Sequence, residues 1–89
     1  MIKLWVDFNN ATYNGWVRFN CKGTIDDLEN QNIILREGLE LLLWTEDEDE
    51  YNNPIQLSVE AVAHFNDKDK TWEGKCDMKN IIQSSLHKK

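Results

Sequence analysis

The side chains suited to nucleophilic or acid–base catalysis are few in this sequence of 89 residues. They are Cys21, Cys76, His64 and His87. A catalytic pair needs its nucleophile and base within hydrogen-bond reach, but the alternation of strand residues points His64 and Cys76 to opposite faces. Zinc ligands usually come in close pairs such as CxxC or HxxxH, and neither spacing occurs here. We therefore expect no catalytic residue, no metal and no cofactor.

The acidic run Glu46-Asp47-Glu48-Asp49-Glu50 is the second candidate, because carboxylates attract hard cations. A Ca²⁺ loop alternates its ligands, turns sharply at a glycine and ends in a distant bidentate glutamate. The run has the alternation at Asp47 and Asp49 but lacks the glycine and the distant glutamate. We interpret it as a solvated loop whose charges discourage aggregation beside an apolar strand.

Tryptophan is the third candidate, because four tryptophans are many for a chain of this length. If the strands alternate as described below, several large apolar residues point away from the core, and contiguous exposed groups of this kind usually mark an interface. Tryptophan is also enriched among binding hot spots. The predicted binding surface consists of Trp5, Trp16, Leu42, Trp44 and Val62.

Other interpretations of this surface stay open. A helix that covered it would make the tryptophans part of the core. Lys3, Arg18 and Lys75 could join the indoles in a stacking platform for single-stranded nucleic acid. A small-ligand carrier or an enzyme with a polar pocket near His64 is the remaining alternative.

The most apolar stretch of the chain, at positions 37–44, sets the frame for these side chains. It is too short for a periodic helix and reads as a strand. The odd-numbered leucines would face one side, and Leu42 and Trp44 the other. Apolar residues on both sides predict a central strand that is partly covered on each face.

Period-two alternation predicts four more strands. Residues 2–8 and 16–21 alternate, and the turn residues Asn14-Gly15 between them indicate a β-hairpin. Residues 57–65 and 71–77 form the second predicted hairpin, with Val62 and His64 on its outward face.

Two short helices complete the prediction. Thr24 is a suitable N-cap for a helix that ends at residues 30–32. Asp77 would cap a terminal helix that runs towards Lys88 and Lys89, which suit its negative end. The apolar residues of that helix fall at helical spacing: Met78, Ile81, Ile82 and Leu86.

Five strands and two short helices predict a mainly β fold in a single domain over residues 1–89. The small antiparallel sheet would roll into an SH3- or OB-like barrel, or stay open and curved with both helices on one face. Sequence alternation alone does not decide between these two forms.

The charge balance bears on the partner. A formal net charge of −6 argues against coating nucleic acid and against docking on an anionic membrane. The first residues do not resemble a signal peptide, and no apolar run is long enough for a membrane span. We therefore expect a non-catalytic module of the bacterial cytosol with reduced cysteines, whose partner is another protein or a second copy of itself.

Overall fold

Six strands form one open sheet in the computed structural model of this chain, which describes residues 1–86. In chain order the strands are β1 (Ile2–Trp5), β2 (Val17–Arg18), β3 (Glu40–Glu48), β4 (Pro54–Asn66), β5 (Thr71–Lys75) and β6 (Ile82–Ser85). Helix α1 (Lys22–Asn30) and a 3₁₀ turn (Met78–Asn80) are the helical elements of the described residues. His87, Lys88 and Lys89 lie outside the described residues, and so do the predictions made for them.

The strand order is β1-β3-β4-β5-β2. β6 pairs with residues 55–58 of β4, the part of that edge that β5 leaves unpaired. β1 runs parallel to β3, whereas the other pairs are antiparallel. The mainly β prediction is confirmed. The barrel is wrong, because β1 and β2 lie at opposite ends of this order and the sheet does not close within residues 1–86. The strand count is also wrong, since the described part of the chain contains six strands rather than five.

The predicted hairpin between residues 2–8 and 16–21 does not form. Its turn does form, but it returns the chain onto the preceding residues: the Thr12 amide donates to the Trp16 carbonyl, and the Arg18 amide donates to the Asn10 carbonyl. β1 is therefore left to pair with β3, where Ile2 lies opposite Leu41.

The central strand is confirmed. β3 lies between β1 and β4, with Leu41 and Leu43 fully buried and Leu42 and Trp44 half-buried. The predicted bounds, 37–44, are shifted: the strand begins at Glu40, and its ladder with β4 continues to Glu48 opposite Pro54. The first part of the acidic run is therefore strand rather than loop.

One face of the sheet carries the core, and we call it the core face. Its buried residues are Leu4, Val6, Val17, Phe19, Leu41, Leu43, Val59, Ala61 and Ala63. Leu28 of α1 and Ile33 and Leu35 of the following loop pack on this face. Gly74 lets the side chains of Leu43 and Phe19 pack directly on the backbone of β5, since a Cβ there would lie 2.9 Å from both the Leu43 Cδ1 and the Phe19 Cζ.

Helix α1 begins one turn earlier than predicted. Cys21 occupies the N-cap with an extended backbone, and Thr24 is fully buried in the first turn, with its hydroxyl 3.1 Å from the Cys21 Sγ. Thr24 is therefore not the N-cap: it lies within the first turn of the helix, and its side chain is buried. The predicted end is confirmed, as the helix stops at Asn30.

The predicted terminal helix is wrong. Asp77 does cap the chain, accepting the Lys79 amide at 3.0 Å, but a single 3₁₀ turn follows. Met78 packs against the core, and the chain then enters β6, where Ile82 lies opposite Ser58. The backbone of β6 finds its partners in β4, which replace the hydrogen bonds a helix would have made.

Candidate functional site

The face of the sheet opposite the core, which we call the outer face, carries the predicted binding residues. Trp5, Leu42, Trp44 and Val62 alternate with buried core residues on β1, β3 and β4, and Trp16 enters β2 on the same side as Arg18. The side chains of the three tryptophans and of Leu42 are half-buried, and Val62 is 37% exposed. The structure thus places all five on one face.

The ladder register arranges the outer face in rows across the strands. The rows are Trp5–Trp44–Ser58–Ile82, then Lys3–Leu42–Glu60, then Glu40–Val62–Lys75, and finally His64–Glu73–Arg18. Apolar and charged groups therefore alternate in the middle rows, and the outermost rows hold the aromatic side chains.

Trp5 is partly occupied by helix α1. Its benzo ring lies directly on Gly23, where a Cβ would approach the Trp5 Cζ3 to 2.5 Å. The interpretation in which a helix covers the tryptophans therefore describes Trp5. It does not describe Trp44, since α1 packs through Leu28 on the core face.

Trp44 and Trp16 each hold a lysine ammonium. The Lys3 Nζ lies 5.1 Å from the centroid of the Trp44 ring, and the Lys75 Nζ lies 5.3 Å from that of Trp16. Exposed cation–π contacts of this kind contribute about 0.5–1 kcal/mol. Trp16 also meets the His64 ring edge-on, with the centroids 5.8 Å apart.

A carboxylate–imidazole pair lies beside Trp16. The Glu37 Oε2 is 2.8 Å from the His64 Nδ1, and the Glu37 Oε1 accepts the Phe65 amide at 3.1 Å. The His64 hydrogen bond and then the Phe65 amide lower the pKa of Glu37. Sequence reasoning missed this pair, because its members are 27 residues apart and no local spacing links them.

The structure does not bring the Cys76 thiol to His64. The Cys76 Sγ lies 4.0 Å from the Gly15 carbonyl oxygen, and burial raises the pKa of this thiol. A raised pKa leaves less of the reactive thiolate at neutral pH.

Glu73 is a further residue that sequence reasoning missed. It is only 3% exposed although it lies on the outer face, between His64 and Arg18 in the ladder. The side-chain Nδ2 of Asn66 donates to its Oε2 at 3.5 Å. Alternation predicted the side to which Glu73 points, but nothing in the local sequence indicated that its neighbours would cover it.

The acidic run closes a turn. Asp49 accepts hydrogen bonds from the Tyr51 and Asn53 amides at 2.8 and 2.9 Å. The Asn53 amide is the largest cause of the lowered pKa of this carboxyl. Over residues 1–86, no group of three or more His, Cys, Asp and Glu side chains is placed to hold a metal ion.

A shallow depression of about 190 Å³ lies in the middle rows of the outer face. Glu40, Glu60, Val62 and Lys75 are among the residues that line it. Both glutamates are exposed, so two carboxylates lie between the two tryptophan–lysine pairs.

Comparison with known proteins adds no family to this description: neither a family model, nor a curated protein, nor a solved structure matches the chain. As for membranes, no helix of the described residues combines the length and the apolar character needed to cross a bilayer.

Proposed function

We propose that this chain is a non-catalytic protein-interaction module and that its outer face contacts the partner. One observation carries the proposal: the face opposite the core holds Trp16, Leu42, Trp44 and Val62, while the helix covers only Trp5 of that face and packs on the core through Leu28. A half-exposed antiparallel sheet normally carries polar side chains on its solvated face. Large apolar and aromatic side chains interleaved with charged ones on that face are typical of a protein interface.

The tryptophans would supply most of the binding energy. A tryptophan buries roughly 150–250 Å² in a full contact, and about 25 cal/mol is gained per Å² of apolar surface removed from water. Trp16 and Trp44 are already half-buried, so on the order of 1–3 kcal/mol remains for each. Trp5 contributes less, since Gly23 already covers part of its ring.

A stacking platform for single-stranded nucleic acid fits the same face less well. Glu40 and Glu60 are exposed on the face between Trp16 and Trp44. A phosphate backbone crossing the face would meet these carboxylates, and phosphate binding requires clustered cations instead.

Site-specific photocrosslinking in cells tests the proposal. A photoreactive phenylalanine derivative replaces Val62 on the outer face or, as the matched control, Tyr51, which is 77% exposed at the β3–β4 turn. We expect a discrete higher-mass adduct from position 62 and none from position 51. The adduct should be lost when Leu42→Glu is added, because a charge in the neighbouring row disrupts the contact.

Two results would overturn the proposal. One is the absence of an adduct at position 62 although the variant is folded and abundant. The other is the same set of adducts from both positions, which would reflect random collision. The mass of a specific adduct separates a second copy of the chain from a different protein.

A further inference from the structure

Both open indoles of the outer face already hold a cation. Lys3 lies over Trp44 and Lys75 over Trp16, at 5.1 and 5.3 Å from the ring centroids. Both lysines are exposed residues, so their ammonium groups can leave the rings for water at little cost. Each ring is thus a binding site for an ammonium or guanidinium group, and in the free chain a lysine of the chain itself occupies it.

Four carboxylates lie around these two sites. Glu40 and Glu60 line the depression between them, and Glu37 and the buried Glu73 lie at the Trp16 end, near His64. The whole chain carries a formal net charge of −6. Such a field attracts a cationic segment and repels an anionic one.

We infer that the partner presents a lysine- or arginine-rich segment, whose cations replace Lys3 and Lys75 over the two indoles. This inference rests on the proposed function. The displaced lysines move into water, and the glutamates between the rings pair with the remaining positive charges of the segment. A second copy of this chain fits less well, because two chains of the same negative charge repel each other.

The strand geometry sets the spacing of the partner's cations. From Trp44 to Lys75 the path crosses two strand spacings and advances by the four residues from Ser58 to Val62. With about 4.8 Å between strands and about 3.3 Å per residue, the Cα atoms of Trp44 and Lys75 lie roughly 16 Å apart, which we take as the approximate spacing. An extended segment spans it in about five residues.

Fluorescence titration with defined peptides tests the inference. The probe is a flexible Ser/Gly peptide with two lysines about five residues apart, and the matched peptide carries glutamates at those positions. We expect the lysine peptide to change the tryptophan emission of the purified full chain saturably. The glutamate peptide should leave the emission unchanged.

The decisive variants remove positive charge from the protein. Lys3→Met with Lys75→Met empties both rings, so affinity for the lysine peptide should rise by about fivefold to thirtyfold. The control pair, Lys68→Met with Lys79→Met, removes the same charge from exposed turns. This control pair should raise affinity only because it makes the net charge of the chain more negative. Adding Trp44→Leu to the first pair should cancel the gain made at Lys3.

The remaining outcomes contradict the inference. Equal gains in the two lysine pairs would mean unspecific attraction by net charge. If the lysine peptide does not bind while the Val62 crosslink still forms, the proposed function stands and the partner has a different chemistry. Light scattering that shows a stable dimer through this face would make a second copy the occupant.

Discussion

Gly23 of helix α1 packs directly against the Trp5 ring at the β1 edge of the sheet. A Cβ on Gly23 would lie 2.5 Å from the Trp5 Cζ3 and 2.9 Å from its Cε3. Gly23→Ala in a helix normally gains about 1 kcal/mol from propensity. Here we expect a net loss of about 1–3 kcal/mol, since the indole must move. Urea unfolding measures the change.

The control for Gly23→Ala is the same substitution in a Trp5→Leu chain. There the smaller side chain leaves room, and the alanine should be neutral or stabilising. A stabilising effect of Gly23→Ala in the natural sequence would mean that the indole does not rest on the helix.

The Glu37–His64 pair predicts a pH dependence of stability. The pKa of Glu37 is lowered in the folded chain. Its contribution is therefore complete above the ordinary carboxyl pKa and is lost as the pH falls through the lowered folded value. In thermal unfolding, the Tm of the natural chain should exceed that of Glu37→Gln at neutral pH, and the difference should shrink as the pH falls below the ordinary carboxyl range. Glu40→Gln removes the same charge three residues away and is the control for net charge.

Helix α1 protects the free edge of β1. The Asp27 Oδ2 accepts the Trp5 amide at 2.8 Å, and the Gln31 Nε2 donates to the Lys3 carbonyl, also at 2.8 Å. Asp27 in the helix and Gln31 at its C-cap occupy backbone groups that another strand would otherwise use. Asp27→Ala should cost about 1–3 kcal/mol in urea unfolding, because the partly buried Trp5 amide loses its acceptor. It should also increase aggregation.

The matched control for this edge is Asp26→Ala. Asp26 forms an exposed ion pair with Lys22 at 2.7 Å, and solvent screening leaves such a pair little effect on stability. Similar losses in the Asp26 and Asp27 variants, with no difference in aggregation, would show that the edge is not what Asp27 protects.

Alternation along single strands predicted faces correctly but not partners. Leu41 and Leu43 are buried and Leu42 and Trp44 lie on the other face, as counting by twos requires. Pairing depends on contacts between distant segments. The parallel pairing of Ile2 with Leu41 leaves no sign in the intervening sequence.

Helical spacing was misleading at the C-terminal end. Met78 and Ile81 pack against the core, as one face of a helix would, but Ile82 is 62% exposed on β6. A few apolar residues at intervals of three and four fit a helix and equally fit a turn followed by a strand. The free half of β4 decided between them, because it offers backbone partners that no local pattern reveals.

At the scale of the whole molecule, the two faces of the sheet have different tasks. The core face carries the stability of the chain through residues such as Leu43, which is fully buried. The outer face, with Leu42 in the adjacent position, carries the proposed contact with a basic partner. Neighbouring leucines on β3 therefore separate folding from binding.

This separation predicts that Leu43→Ala mainly lowers stability, whereas Leu42→Ala mainly weakens binding. Leu43→Ala should lose about 2–5 kcal/mol in urea unfolding, a large part of a total on the order of 5–15 kcal/mol. Leu42→Ala should lose about 1 kcal/mol, since the side chain is half-exposed, yet it should weaken the crosslink from Val62. If both variants lose the same stability, Leu42 belongs to the folding core. If Leu42→Ala changes neither stability nor the crosslink, the partner binds elsewhere on the chain.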